Sequence, residues 1–87
     1  MQLAVLIETA AKRTHRTQKQ LAADMGKNPA RISEWKSGKE KPDANEIAYL
    51  AHEAEWPVLE TVARIEAELN PAFASIWLNA LRHREKP

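Results

Sequence analysis

The sequence contains no cysteine, only two glycines and only five aromatic residues among its 87 positions. The absence of cysteine excludes disulfides, thiolate metal sites and thiol catalysis, and it fits a reducing cytoplasm. The scarcity of glycine and aromatic side chains argues against an all-β fold. No apolar run approaches the roughly 18 residues of a membrane span, and the N-terminus lacks the pattern of a secretory signal peptide. We therefore expect a cytoplasmic protein.

The formal net charge of +1 conceals an uneven distribution of charge. Residues 12–41 include nine basic and three acidic side chains, a net charge of +6, whereas residues 43–68 include seven acidic side chains and one basic, a net charge of −6. Such asymmetry favours a basic part that faces a polyanion such as nucleic acid. The alternative is two solvated helical surfaces that differ by chance.

Apolar residues recur at helical spacing along the whole chain, and no strand pattern, repeat or linker interrupts them. Start and stop signals for the helices are the capping boxes and prolines at Thr17–Gln20, Asn28–Pro29, Asp43, Pro57 and Asn70–Pro71, together with Gly26 and Gly38. The pattern predicts one compact all-α domain of five or six short helices. Residues 1–56 are expected to form the nucleic-acid-binding core of this domain, and residues 57–87 are expected to add the C-terminal helices of the same domain.

The segment that carries the chemistry is residues 17–42, TQKQLAADMGKNPARISEWKSGKEKP. Two short helices joined by a tight turn at Gly26 meet the requirement of a helix-turn-helix, in which the second helix enters the major groove of DNA. Packing of the pair is expected from Leu21, Ala22, Ile32 and Trp35. The alternative is an ordinary pair of antiparallel helices without a DNA-binding role.

This segment resembles the helix-turn-helix of the Cro and phage-repressor superfamily. The matching residues are Thr17-Gln18, Leu21-Ala22, Gly26, Ile32-Ser33, Gly38 and Pro42, and the match continues through Ile47, Leu50 and Ala51. The resemblance covers about residues 3–56, and the C-terminal helix is similar to that of small phage-associated relatives. The chain departs from the family pattern at Lys27, Pro29, Ala30 and Lys36. The DNA sequence that relatives recognise therefore cannot be transferred to this chain.

The resemblance implies a role for each position of the motif. Residues on or near the groove-facing side of the second helix, expected to contact bases, are Asn28, Ala30, Arg31, Ser33 and Glu34. Residues expected to contact phosphates are Arg16, Thr17, Gln18, Lys19, Lys27, Lys36, Lys39 and Lys41. Arg31 is the best base reader, because its guanidinium matches the O6 and N7 atoms of guanine. A phosphate contact is the alternative for Arg31, and a salt bridge is the alternative for Glu34.

The last helix carries large apolar residues that exceed what a small core needs. We expect a homodimer contact there, with Val62 and Ile65 of the preceding helix assisting. The expected interface residues are Val62, Ile65, Phe73, Ile76, Trp77 and Leu81.

No catalytic or metal-binding pattern is present in the sequence. The three histidines are scattered, the serines lack a base in a suitable arrangement, and there is no glycine-rich phosphate loop. We therefore expect no enzyme activity, no metal and no cofactor.

The sequence therefore predicts a transcriptional repressor, encoded by a phage, that binds an inverted-repeat operator in double-stranded DNA as a dimer. When bound to DNA, this cytoplasmic protein is expected to lie on the nucleoid. Relief of repression would need a partner such as an antirepressor protein, or a falling concentration. Two alternatives remain open: the antitoxin of a toxin–antitoxin pair, and a protein-interaction domain with a degenerate motif.

Overall fold

Six α-helices and one short 3-10 turn follow each other in the computed structural model, which describes residues 2–85 and the side chains of residues 2–83. The helices are α1 (Gln2–Thr14), α2 (Gln18–Asp24), α3 (Pro29–Ser37), α4 (Ala44–Ala54), α5 (Val58–Leu69) and α6 (Ala74–Glu85), with the 3-10 turn at Pro71–Phe73 before α6. No strand occurs within residues 2–85. The predicted all-α fold is confirmed.

Local capping sets most of these boundaries. Thr17 and Asp43 each form a complete capping box. The side chain of the capping residue accepts a hydrogen bond from the backbone N–H three residues later, and the side chain of that later residue accepts one from the backbone N–H of the capping residue. Asn28 caps α3, and Pro29 takes the first helical position, where no amide hydrogen is needed. Gly26 and Gly38 follow α2 and α3 with φ of 71° and 84°, the left-handed conformation that favours glycine. The predicted boundaries in residues 14–44 are therefore confirmed.

The core lies between α1, α4 and α5, with α2 and α3 packed as a pair against α1. Its largest fully buried side chains are Leu3, Leu6, Ile7, Leu21, Ile32, Trp35, Ile47, Leu50 and Ile65. Trp35 of α3 is only 1% exposed, so the second motif helix is anchored through its inward face. α5 and α6 form a second pair that joins the core through α4.

Two local predictions for the C-terminal part are wrong. The spacing of apolar residues in the sequence groups Leu59 with Val62, Ile65 and Leu69 on the fifth helix, but Leu59 is 67% exposed, because Val58 takes the inward register with those three residues. Leu59 is one residue further along and so is rotated by about 100° on the helix.

The second wrong prediction is the cap at Asn70. Its side chain makes no capping hydrogen bond, and its Nδ2 instead donates to Glu66 at 3.3 Å. As a result Pro71 starts a 3-10 turn, and α6 begins only at Ala74.

Among residues 2–85, no helix is both long enough and apolar enough to cross a membrane.

Candidate nucleic-acid interface

α2 and α3 form two short helices joined by residues 25–28, with their inward side chains buried together. The turn is held by the backbone N–H of Lys27, which donates to the carbonyl of Ala22 at 2.8 Å, and by Gly26 in its left-handed conformation. Leu21 and Ala22 on α2 and Ile32 and Trp35 on α3 belong to the core. The anchoring of this pair leaves the opposite face of α3 free.

Exposed side chains near the N-terminus of α3 are Ala30 and Ser33 on the free face and Arg31 on its flank, one turn before the buried Trp35. Within residues 2–83, the Arg31 guanidinium forms no salt bridge and no side-chain hydrogen bond. Its N–H donors are therefore available to an external ligand.

Asn28 and Glu34 were also expected to read bases. The Oδ1 atom of Asn28 accepts the backbone N–H of Ala30 at 2.9 Å, so its amide nitrogen is left to donate. Glu34 is half-buried, and its backbone carbonyl accepts hydrogen bonds from the Ser37 hydroxyl and from the backbone N–H groups of residues 38–40. Within residues 2–83 its carboxylate forms no salt bridge and no side-chain hydrogen bond, so Asn28 is the more constrained of the two side chains.

The expected phosphate-contacting lysines separate into two groups. Lys19, Lys39 and Lys41 are exposed and form no ion pair within 4.0 Å in the part of the chain whose side chains are described. Lys27, by contrast, lies 3.1 Å from Glu46, and Lys36 lies 3.4 Å from Glu8. The first group can meet a polyanion without breaking any contact within the chain.

Arg16 is held inside the protein rather than presented to a ligand. Its guanidinium donates to Asp24, to Glu53, to the Tyr49 hydroxyl at 2.9 Å and to Thr14 Oγ1 at 3.0 Å, and its side chain is only 19% exposed. The hydrogen bonds to Tyr49 and Asp24 raise the pKa of the guanidinium above its ordinary value despite partial burial. These internal partners give Arg16 a structural role, and a phosphate contact by Arg16, which stays a prediction, would have to compete with them.

The N-terminus of α2 faces a shallow hollow lined by α1 and the loop that follows it. The hydroxyl oxygen of Thr17 already accepts the capping hydrogen bond, so only its O–H hydrogen is left to donate to a phosphate. Gln18 lines the hollow beside Lys12 and His15. Lys12 and His15 were not among the residues predicted to contact phosphates, although they line the same hollow as Gln18. Their place at the end of α1, directly before the motif, is the feature of the sequence that could have indicated them.

The α5–α6 side of the molecule exposes large apolar groups. Phe73 is 58% exposed, Ile76 is 65% exposed and Leu78 is 44% exposed, and Trp77 is half-buried. Three residues expected at a subunit contact, Val62, Ile65 and Leu81, are instead buried within the chain, because they pack between α5 and its neighbours. Leu59 and Leu78 are exposed apolar residues that the prediction did not include.

Within the described residues, no three His, Asp or Glu side chains are grouped closely enough to hold a metal ion. Comparisons with protein-family models, with curated proteins and with solved structures gave no match to this chain.

Proposed function

We propose that this chain is a sequence-specific DNA-binding protein of the helix-turn-helix kind, with α3 as its reading helix. The observation that carries the proposal is the division of α3 into two faces. Ile32 and Trp35 are buried, whereas Ala30 and Ser33 on the other side and Arg31 on the flank of the helix are exposed. Neither Arg31 nor Ser33 forms a side-chain hydrogen bond or a salt bridge within residues 2–83. A helix fixed on one side and open on the other has the form needed to enter a major groove.

The charge distribution around α3 supports the same function. Lys19 precedes α3 on α2, Lys39 and Lys41 follow it, and all three are exposed and unpaired within residues 2–83. Lysines on both sides of a reading helix can contact the phosphates that border the groove, which fixes the position of the helix without reading sequence. Occupation of promoter DNA would then block the polymerase, which is the action of a repressor.

A single helix-turn-helix reads too few base pairs to find one site in a genome, so we propose that two copies bind together. The contact is placed on the α5–α6 side, where Leu59, Phe73 and Ile76 are exposed. Contact through the basic segments is disfavoured, since two surfaces of net charge +6 repel each other.

The experiment is selection of bound sequences from a random duplex pool, followed by fluorescence anisotropy on the enriched sequence and on a scrambled one. We expect an enriched inverted repeat. Arg31→Ala should cost about 1–3 kcal/mol on the enriched sequence and relax the preference at one base pair in each half-site. Ser75→Ala, on α6, is the matched control and should leave both affinities unchanged.

Two results would contradict the proposal. Equal affinity for enriched and scrambled DNA would remove sequence-specific binding. Equal losses of Arg31→Ala on both sequences would reassign Arg31 to a phosphate.

A further inference from the structure

One guanidinium connects three helices beside the reading helix. Arg16 lies in the loop between α1 and α2, and its backbone N–H donates to the carbonyl of Ala11 at 3.0 Å, which fixes its backbone to the end of α1. Its side chain then reaches Asp24 at the end of α2 and Glu53 and Tyr49 on α4. The arginine thus binds α1 through its backbone, and α2 and α4 through its side chain.

The bonding of Arg16 is close to saturated. A guanidinium has five N–H donors in a fixed plane, and the Arg16 guanidinium uses four of them in hydrogen bonds. The Tyr49 ring adds a cation–π contact, with the guanidinium carbon 6.0 Å from the ring centroid. A lysine could keep the charge, but its three donors spread from one nitrogen and cannot reproduce this planar arrangement.

α2 lies against α3 and α1, and its buried residues Leu21 and Ala22 belong to the same core as Ile47 and Leu50 of α4. Polar contacts add to this packing where α2 ends, since Asp24 is bonded to Arg16, and Lys27 in the turn is paired with Glu46 on α4. Charge-assisted hydrogen bonds are directional, so these contacts add geometric specificity to the apolar packing.

We infer that Arg16 is a positioning residue, which holds α2, and with it α3, at a fixed angle to α4 and thereby sets how well α3 fits a specific DNA sequence. The inference rests on the proposed DNA binding. Hydrogen bonds to base edges require close alignment, whereas phosphate contacts of flexible lysines tolerate a small tilt. Loss of Arg16 therefore lowers affinity for the specific sequence more than affinity for random DNA.

The test compares Arg16→Met and Arg16→Lys with the wild type on enriched and scrambled duplexes, from 50 to 300 mM KCl. Specific affinity should fall by about three- to thirtyfold, the range typical of residues that couple through a network. Non-specific affinity should change by less than about twofold, and the dependence on salt should stay the same, because no phosphate contact is removed. Lys19→Met is the matched control, with loss on both duplexes and a weaker salt dependence.

A double-mutant cycle separates positioning from loss of stability. Glu53→Gln removes the charge of one Arg16 partner while keeping the size of the side chain, so its loss of specific affinity should not add fully to that of Arg16→Met. If Arg16→Met fails to fold, as judged by helical circular dichroism, Glu53→Gln and Tyr49→Phe provide the same comparison of the two duplexes.

Three outcomes overturn the inference. Equal losses on both duplexes together with a reduced salt dependence would make Arg16 a phosphate contact. Fully additive losses in the cycle would exclude the network. Wild-type protein that binds DNA without sequence preference would remove the proposed function itself, which is a separate result because it precedes any substitution.

Discussion

The separation of the lysines into free and paired groups predicts how strongly salt weakens DNA binding. Lys19, Lys39 and Lys41 are free within residues 2–83, so each subunit can neutralise three phosphates without breaking an internal contact. At about 0.9 per phosphate, the logarithm of the binding constant should fall by about 2.7 per subunit for each unit of log salt, or by about 5 for two subunits.

Single substitutions should change this salt dependence by a predictable step. Lys39→Met and Lys41→Met should each reduce the slope by about 0.9 per subunit and leave the preference between enriched and scrambled DNA unchanged. Lys36→Met is the matched control, since Lys36 already pairs with Glu8 at 3.4 Å and should contribute less.

The measurement is fluorescence anisotropy of a labelled duplex between 50 and 300 mM KCl. Circular dichroism confirms that each variant stays helical. A slope near zero for the wild type would refute polyanion binding altogether. A larger effect of Lys36 than of Lys39 or Lys41 would refute the use of internal ion pairs to rank the cations.

Two further predictions concern assembly and the turn after α3. Ile76→Ser should shift sedimentation at tens of micromolar towards the monomer and weaken operator binding. The helical circular dichroism should stay unchanged, because Ile76 is 65% exposed. An unchanged sedimentation coefficient would exclude this side as the subunit contact. Gly38→Ala should lower the free energy of unfolding by about 1–2 kcal/mol, because a φ of 84° is costly for any residue with a Cβ. Urea denaturation measures this change in the free energy of unfolding. Ser37→Ala is a control on the same turn, with an expected loss of about 0.5–1.5 kcal/mol for the one hydrogen bond of its hydroxyl. A loss below about 0.5 kcal/mol for Gly38→Ala would show that the left-handed conformation is not required.

The sequence predicted best those features that depend on residues close together in the chain. Capping boxes at Thr17 and Asp43 and the left-handed glycines at 26 and 38 depend on three or four neighbouring residues, so the motif boundaries could be read directly. The division of α3 into a buried and an exposed face followed in the same way from helical spacing.

Features that depend on distant partners could not be predicted. Arg16 meets Tyr49 and Glu53, which are 33 and 37 residues further along the chain, so its sequence neighbours suggested only one more basic residue beside the motif. The inward register of α5 was misassigned by one residue at its start, because Val58 and Leu59 are both apolar. Helical spacing groups the apolar residues of α6 but does not say which of them α5 covers, so Leu81 was assigned to a partner and is buried instead.

The carbonyl of Glu34 has a consequence for the speed and cost of association. It accepts the backbone N–H groups of Lys39 at 3.0 Å and Glu40 at 3.2 Å, and Pro42 at the end of the same loop is buried. The backbone of the loop that presents Lys39 and Lys41 is therefore ordered when the chain folds. In the proposed complex with DNA, the lysine side chains of this loop are what still has to be ordered. A preorganised loop of this kind makes association depend on the electrostatic encounter rather than on a slow rearrangement of the protein.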